Sequence, residues 1–310
     1  MTIATGSRHS MAYCAETTFG TTNATPVFKA FRHTSTTLAL SKESLQSSEL
    51  RSDRQIVDFR HGVKSVSGDA GIELSYGSFD DMIEAALGGT WSADTPTAGI
   101  DQLEVGLSRR SFTIERLFDD ITQYHRFTGC HVNTMNLSVQ PSAMVTGSFG
   151  MIGKGMTTGT AAIAGATYPA ASTTTPFDGF TGSINEGGNG IAVVTEMSLS
   201  IDNGMAAINV VGSDETLEPS IARSNVTGSV TAYFEDSTLL DKFINETETS
   251  INFTLADVAG NTYLFSLPRI KYSSGQPDVS DESPVTISFN FQALLDSTAG
   301  TNMLVQRNPA

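Results

Sequence analysis

The sequence predicts a mainly β protein built from two tandem copies of one unit, each carrying a single short α-helix. Three observations predict it. The chain is rich in Ser, Thr, Val and Phe, a composition that fits pleated, half-buried strands. Charged residues make up only 16% of the 310, so Ser, Thr, Asn, Gln and Gly must cover most of the surface. The order of elements in 36–156 also recurs in 191–296.

The first half reads as follows. Residues 1–35 lack periodicity and read as an extended N-terminal arm. TTLALS (36–41) alternates and predicts a strand. A polar, charged excursion runs from Glu43 to Gly62. VKSVSGDAGIELSY (63–76) alternates again, with Val66, Ile72 and Leu74 as apolar members and glycines at bulge positions. SFDDMIEAALGG (78–89) switches to helical spacing, which puts Met82, Ile83, Ala86 and Leu87 on one face. Ser78 with Asp81 three residues on makes a variant capping box, and Gly88-Gly89 stops the helix. Strands are predicted at 111–118, 123–132, 134–139 and 144–153.

An Ala/Thr/Gly-rich linker or insertion spans 157–190. The second half then repeats the scheme. Strands are predicted at 194–201, 208–212 and 223–234, and Asp236 caps a short helix at 237–246. Strands at 249–257, 261–270 and 284–294 follow, and 301–310 is a C-terminal tail. Val66 corresponds to Val226 and Val145 to Val285, at intervals of 79 and 59 residues. The first copy therefore holds about 20 extra residues near Gly89 to Arg110, and the repeat is too long for a solenoid. The domain plan is an arm (1–35), a first unit (36–156), a linker (157–190), a second unit (191–300) and a tail (301–310).

The net charge is −15, which argues against gripping nucleic acid through clustered Lys and Arg. Residues 1–150 hold 12 basic and 16 acidic side chains, a net of −4, and residues 151–310 hold 6 and 17, a net of −11. The two cysteines, Cys14 and Cys130, make neither a disulfide framework nor a zinc site, and suit free thiols in a reducing compartment. MTIATGSRHS shows no apolar segment behind a basic start, and no run approaches the ~18 apolar residues of a membrane helix. Folding in a cytosol, away from membranes, is expected.

No active site assembles from the residue pattern. Asp80-Asp81, Asp119-Asp120, Glu215/Glu218 and Asp281-Glu282 suit helix starts and turns rather than carboxylates facing across a cleft. His125 and His131 lie too far apart along a strand to share an ion. GTAAIAGATYP and GSFGMIGKGM lack the frame of a phosphate cradle. No catalytic residue, metal site or cofactor is expected, so the chain is read as no enzyme. Arg51, Arg54 and Arg60 interleave with Asp53 and Asp58, a mixture that suits a protein–protein contact.

The string SDRQIVDFRHGVKSVSGDAGIELSYGSFDDMIEAALGGTW resembles the tail tube (major tail) proteins of long-tailed bacteriophages with a non-contractile tail. VTEMSLSIDN, NVTGSVTAYFEDSTLLDKFIN, GNTYLFSLPRIKY and SPVTISFNFQAL carry the companion pattern in the second half. SFTIERLF and YHRFTGCHVNTMNLSVQPSAMVTGSFGMIGKG are similar to that family as well. The resemblance covers most of 36–296. It implies two tandem tail-tube-type β-sandwich or barrel domains, each with one short packed helix.

The resemblance further implies a structural virion protein that polymerises into stacked rings, forming a hollow tube through which DNA passes into the host. Two tube domains per chain imply a trimeric ring of pseudo-sixfold symmetry, with a hexamer as the alternative. Rings stack through a long hairpin, which here matches Glu43–Gly62 and roughly Asn203–Ala222. The stacking candidates are Glu43, Ser47, Arg51, Asp53, Arg54, Asp58, Arg60 and His61, with Glu215, Glu218 and Arg223 in the second copy. The implied partners are other copies of the chain, a tape-measure protein, tail terminator and distal tail proteins, and DNA bound without sequence preference. The implied location is the virion tail, assembled in the bacterial host cytoplasm. An acidic lumen that lets DNA slide follows from the charge. The alternative is another virion β-protein, a capsid decoration or adhesin-like domain, which would show no helix-containing duplication. A secreted carbohydrate-active β-enzyme would need a leader and an aromatic cleft, and only Trp91 is present.

Overall fold

The computed structural model describes residues 3–179, 181–191, 193–279 and 282–310. The first half holds β1 (His9–Ala15), β2 (Lys29–Phe31), β3 (Ser35–Thr36), β4 (Ala39–Gln46), β5 (Phe59–Glu73), α1 (Asp80–Leu87), β6 (Asp101–Glu104), β7 (Phe112–Phe118), β8 (Gln123–Val139), β9 (Thr146–Gly153) and β10 (Gly155–Gly159). The second holds β11 (Ser183–Glu186), β12 (Asn189–Gly190), β13 (Val194–Asp202), β14 (Ala206–Ile208), β15 (Leu217–Ser220), β16 (Asn225–Tyr233), α2 (Thr238–Ile244), β17 (Thr249–Ala256), β18 (Thr262–Tyr272), β19 (Gln276–Asp278), β20 (Thr286–Ala293) and β21 (Leu304–Asn308). The fold is mainly β, as its composition predicts.

Three sheets in two layers position everything else. A long antiparallel sheet runs β4–β5–β9–β8–β13–β16–β20 and ends on residues 270–278 of β18 and β19. Two shorter sheets cover one face of it. The first runs β2–β1–β7–β8–β10 and the second β12–β11–β17–β18–β21–β6. β8 and β18 each serve two layers, because each is long enough to bend from one sheet into the next. The core lies between the layers. Phe31 of a short sheet meets Phe149 of the long one edge to face at 6.3 Å, and Phe79 beside α1 meets the same ring at 6.0 Å.

The pairings of the first half recur in the second. His131 opposite Ile152 becomes Lys271 opposite Gln292, both 140 positions on. Ser138 opposite Thr146 becomes Asp278 opposite Thr286 by the same step. Leu40 opposite Val66 becomes Ile201 opposite Val226. Ala12 opposite Ala30 becomes Asn185 opposite Gly190, and Met11 opposite Arg116 becomes Ile184 opposite Phe253. Even the bulge between Phe112 and Ile114 returns between Thr249 and Ile251. A bulge shifts every later side chain to the other face, so its recurrence is a strong geometric match.

Several elements differ from the sequence expectation. Residues 9–15 and 29–31 of the expected arm are strands of a short sheet, with Met11, Tyr13 and Phe31 buried. Only part of that segment alternates, which hides it from a periodicity search. The expected tail holds β21, and Met303 and Val305 are fully buried. The two strands expected at 123–132 and 134–139 are one, β8, with a bulge between Val132 and Thr134. Strands β10, β11 and β12 lie within or beside the expected linker. The strand expected at 208–212 stops at Ile208, and Val211 is fully exposed.

The helix starts also differ. α1 begins at Asp80, its cap position is Phe79, and no side chain caps it. The Ser78 hydroxyl instead accepts from Arg32 Nη1 and from Ser75 Oγ and lies 3.3 Å from Thr174 Oγ1. Asp81 accepts from Tyr13 Oη at 3.0 Å and from Lys29 Nζ at 2.5 Å, so it ties the helix to β1 and β2 instead of closing a capping box. Gly88 ends α1 at φ 64°, a left-handed conformation that favours glycine. Asp236 accepts from the Thr238 N–H at 2.8 Å at the start of α2.

Candidate functional site

The uncovered face of the long sheet is the candidate site. Along each of its strands, one set of alternate residues is buried in the core. Leu38, Val66, Met135, Leu137, Phe149, Leu199, Ile201, Val230 and Phe289 belong to it. The other set projects from the uncovered face, and it is almost entirely hydroxyl and amide.

These polar side chains satisfy one another across the strands. Ser41 Oγ lies 2.7 Å from Ser65 Oγ, joining β4 to β5. Asn136 Nδ2 donates to Ser148 Oγ at 3.3 Å, and Ser200 Oγ donates to Asn136 Oδ1 at 2.7 Å. Ser198 and Ser229 hydroxyls are 2.7 Å apart, and those of Thr231 and Ser288 are 2.8 Å apart. Asn290 Nδ2 reaches Ser274 Oγ at 2.9 Å, at the last strand of the sheet. The ladder thus crosses both halves. Paired hydroxyls of this kind stabilise sheets by a few tenths of a kcal/mol each, roughly 0.2–1. Their larger effect here is to leave few free donors.

The charges on this face are acidic. Asp69, Glu73, Glu196 and Asp202 are exposed on its strands. The alternation of β4, β5, β8, β9, β13, β16 and β20 places no Lys or Arg among its outward residues from Ser65 to Gln292. At the last strand of the sheet Lys271, opposite Gln292, is the one cation on this face among those strands, and it lies 3.8 Å from Glu246. A phosphate chain therefore meets mainly repulsion there.

The two excursions sit differently. The first leaves β4 and returns along β5, with residues 47–58 exposed. Glu43 packs beside Gly62, and Ser47 N–H donates to Asp58 O at 3.0 Å. Arg51 pairs with Asp53 at 2.7 Å, and Arg60 with Asp58 at 2.8 Å. The Arg51 guanidinium holds the Asp53 carboxyl below its usual range. Arg54 adopts φ 61°, and the His61 and Phe59 rings meet edge to face at 5.3 Å. Leu50 at its tip is 98% exposed.

The second excursion folds back onto the first half. Lys64 N–H donates to Asp214 O at 2.8 Å, and Lys64 Nζ lies 2.6 Å from the Asp214 carboxylate. That ammonium holds the Asp214 carboxyl low. Glu215 lies 3.6 Å from Lys154, and Glu218 lies 3.8 Å from both Arg109 and His131. Asn203 Nδ2 donates to Ala86 O at 2.8 Å. Arg223 is exposed at the hairpin's base. The first set of hairpin residues and the second are therefore not brought together within one chain.

A half-buried polar node that sequence reading missed joins the halves. The Asp80 carboxylate accepts from Tyr263 Oη and from Arg307 Nη1. Arg307 Nε also donates to Asp101 at 2.9 Å, and its guanidinium stacks over Trp91 at 4.6 Å. Burial and the Asp80 charge push the Tyr263 hydroxyl well above its usual pKa. Asp80-Asp81 is thus a paired constellation and not a solvated turn. The Asp80 partners lie 183 and 227 residues away and those of Asp81 68 and 52, beyond any local signal.

Among the described residues, no cluster of three or more His, Cys, Asp or Glu could hold a metal ion. No helix among them is long and apolar enough to cross a membrane. Cys14 and Cys130 are free and buried.

A layered β fold with one uncovered sheet face of mutually bonded hydroxyls and amides fits a structural class of protein. The family model described as phage tail tube protein matches residues 6–293. The chain belongs to the phage tail tube protein family, and its role is structural, in the virion tail. A search of the curated proteins found no match.

Proposed function

We propose that the two halves are copies of one tube module and that three chains close a pseudo-sixfold ring. The observation that carries this reading is the long sheet. It holds four strands from the first half (β4, β5, β9, β8) and four stretches from the second (β13, β16, β20, β18–β19), joined without a break at β8–β13. Both outer edges, β4 and residues 271–278, lack a strand partner among the described residues. Edges of this length invite pairing, and closure into a barrel removes them.

The uncovered face then lines the lumen. Its self-satisfied hydroxyls and its carboxylates leave passing DNA nothing to grip, so DNA slides. The exposed first excursion, with Arg51, Asp53, Arg54, Asp58, Arg60 and His61, reaches the next ring. A tape-measure protein fills the lumen during assembly in the host cytoplasm. Terminator and distal tail proteins close the ends.

Negative-stain microscopy of concentrated protein, with end-on averages and a mass for the ring, tests this. Hollow rings of three chains are expected. Rings of six chains, or a failure to form rings even with tail-tip complexes added, overturn it.

A further inference from the structure

The chain carries its own template for the contact between neighbouring copies. Resting on the ring reading above, we infer that β4 of one copy pairs antiparallel with residues 273–279 of the next, in the register that β13 keeps with β8. That register sets Leu38 opposite Pro277, Leu40 opposite Gly275, Ala39 opposite Gln276 and Ser41 opposite Ser274.

Pairings within one chain are enough to fix it. Leu40 and Ile201 hold equivalent places, opposite Val66 and Val226. Residues 276–278 and 136–138 hold equivalent places against β20 and β9, and continuing that register carries 274 and 275 onto 134 and 135. Inside the chain, Leu199 faces Leu137 and Ser200 faces Asn136. Moving each to its equivalent gives the pairs above.

An independent observation supports this register. Thr37 N–H donates to Asp69 O at 2.9 Å, so Thr37 turns its hydrogen bonds toward β5. Its neighbours Thr36 and Leu38 therefore turn theirs toward the free edge, where the Leu38 N–H makes only a long 3.3 Å contact with Thr36 Oγ1. The outward Leu38 carbonyl is already occupied, by Arg116 Nη1 at 2.6 Å. It needs a partner residue that brings no N–H. In the inferred register that partner is Pro277, which has none. Pro277 sits inside a strand paired on one side only, as a proline must. In the chain's internal seam the equivalent residues, Leu199 and Leu137, are both ordinary donors, and Phe253 stands where Arg116 would be. The proline and the arginine thus change together.

The seam has no clamp. β6 lies in the extra residues of the first half and adds a strand to β21 of the second, across the internal seam. α2 reaches β17 after only residues 245–248, so no equivalent strand crosses to the β10 of a neighbour.

The test uses full-length Ala39→Cys/Gln276→Cys. Both positions are exposed, and the native cysteines are buried. Asn203 N–H donates to Asn133 O, which makes Ser200–Asn136, and hence Ala39–Gln276, a non-hydrogen-bonded pair with close Cα atoms. Oxidised tubes are expected to give a covalent trimer on non-reducing gels, at least tenfold above Ala39→Cys/Ser274→Cys. Ser200→Cys/Asn136→Cys, which should close within a monomer, reports that the geometry and fold survive. Tubes that form without the link, or that link better through Ser274→Cys, overturn the register while leaving the ring intact. Wild-type protein that forms no rings overturns both.

Discussion

The carboxylate of Asp80, in the first turn of α1, accepts from the guanidinium of Arg307, in the last strand of the chain. The same carboxylate accepts from the buried Tyr263, and Arg307 spans on to Asp101. One node therefore fastens a helix of the first half to two strands of the second. Removing Arg307 leaves the half-buried Asp80 carboxylate without its cation. Arg307→Ala is expected to cost about 3 kcal/mol, at the low end for a buried pair because both groups keep some solvent. Thermal melts should show a drop of several degrees, and Arg307→Lys should recover only part of it.

Stability should fall as pH drops below neutrality. Burial, then the charge of Arg116, then His33 and His125, lower the His9 pKa from 6.5 to about 4. His9 Nδ1 lies 2.8 Å from His33 Nε2, and Arg116 Nε lies 3.1 Å from His9 Nε2. The unfolded chain therefore binds more protons than the folded one between about 4 and 6.5. The contribution is fully present above that window and is lost as pH falls through it. Melting at pH 7 and pH 5 should show a smaller difference for His9→Gln than for the wild type.

The uncovered face should turn adhesive when made basic. Ser67, Ser200 and Ser229 lie on it in both halves. A Ser67→Lys/Ser200→Lys/Ser229→Lys tube should retain duplex DNA at 50 mM salt and release it at 300 mM. Each phosphate that a new lysine neutralises should steepen the salt slope by roughly 0.9. Wild-type tubes should show no retention in the same co-sedimentation assay.

Gly228 sits where β13, β16 and β20 meet. A Cβ there would lie 2.3 Å from Ser198 O and 2.4 Å from the Phe291 ring. Gly228→Ala should destabilise by about 1–3 kcal/mol, the range for overpacking a filled site. A lower midpoint with an unchanged slope in urea would report it.

Both thiols should stay silent in the folded protein. Burial pushes the Cys14 thiol up to about 11 and the Cys130 thiol further. At pH 8 a maleimide should label neither, and should label both in denaturant.

The strands with clean alternation were legible in the sequence. Val226, Val230 and Ala232 on β16, and Ile287, Phe289 and Phe291 on β20, mark one buried face at every second residue. The helix at Met82, Ile83, Ala86 and Leu87 was legible for the same reason, since its period differs. β1 and β21 were not, because β1 buries the adjacent Tyr13 and Cys14, which breaks its alternation, and β21 buries Val305 alone. The two excursions were legible as polar segments, although the docking of Asp214 and Glu215 on Lys64 and Lys154 was not.

By itself, then, the sequence determined the β class, the two helices, the recurrence of one scheme along the chain and the acidic balance. Each of these rests on local spacing or on composition. Tertiary structure decided that β8 runs on into β13 as one sheet, that Asp80 meets Tyr263 and Arg307, and that Leu38 offers a carbonyl already taken by Arg116. Those relations join residues tens to hundreds of positions apart. They exist only once strands have taken a register, and a register is fixed by the packing of whole faces, not by any one segment.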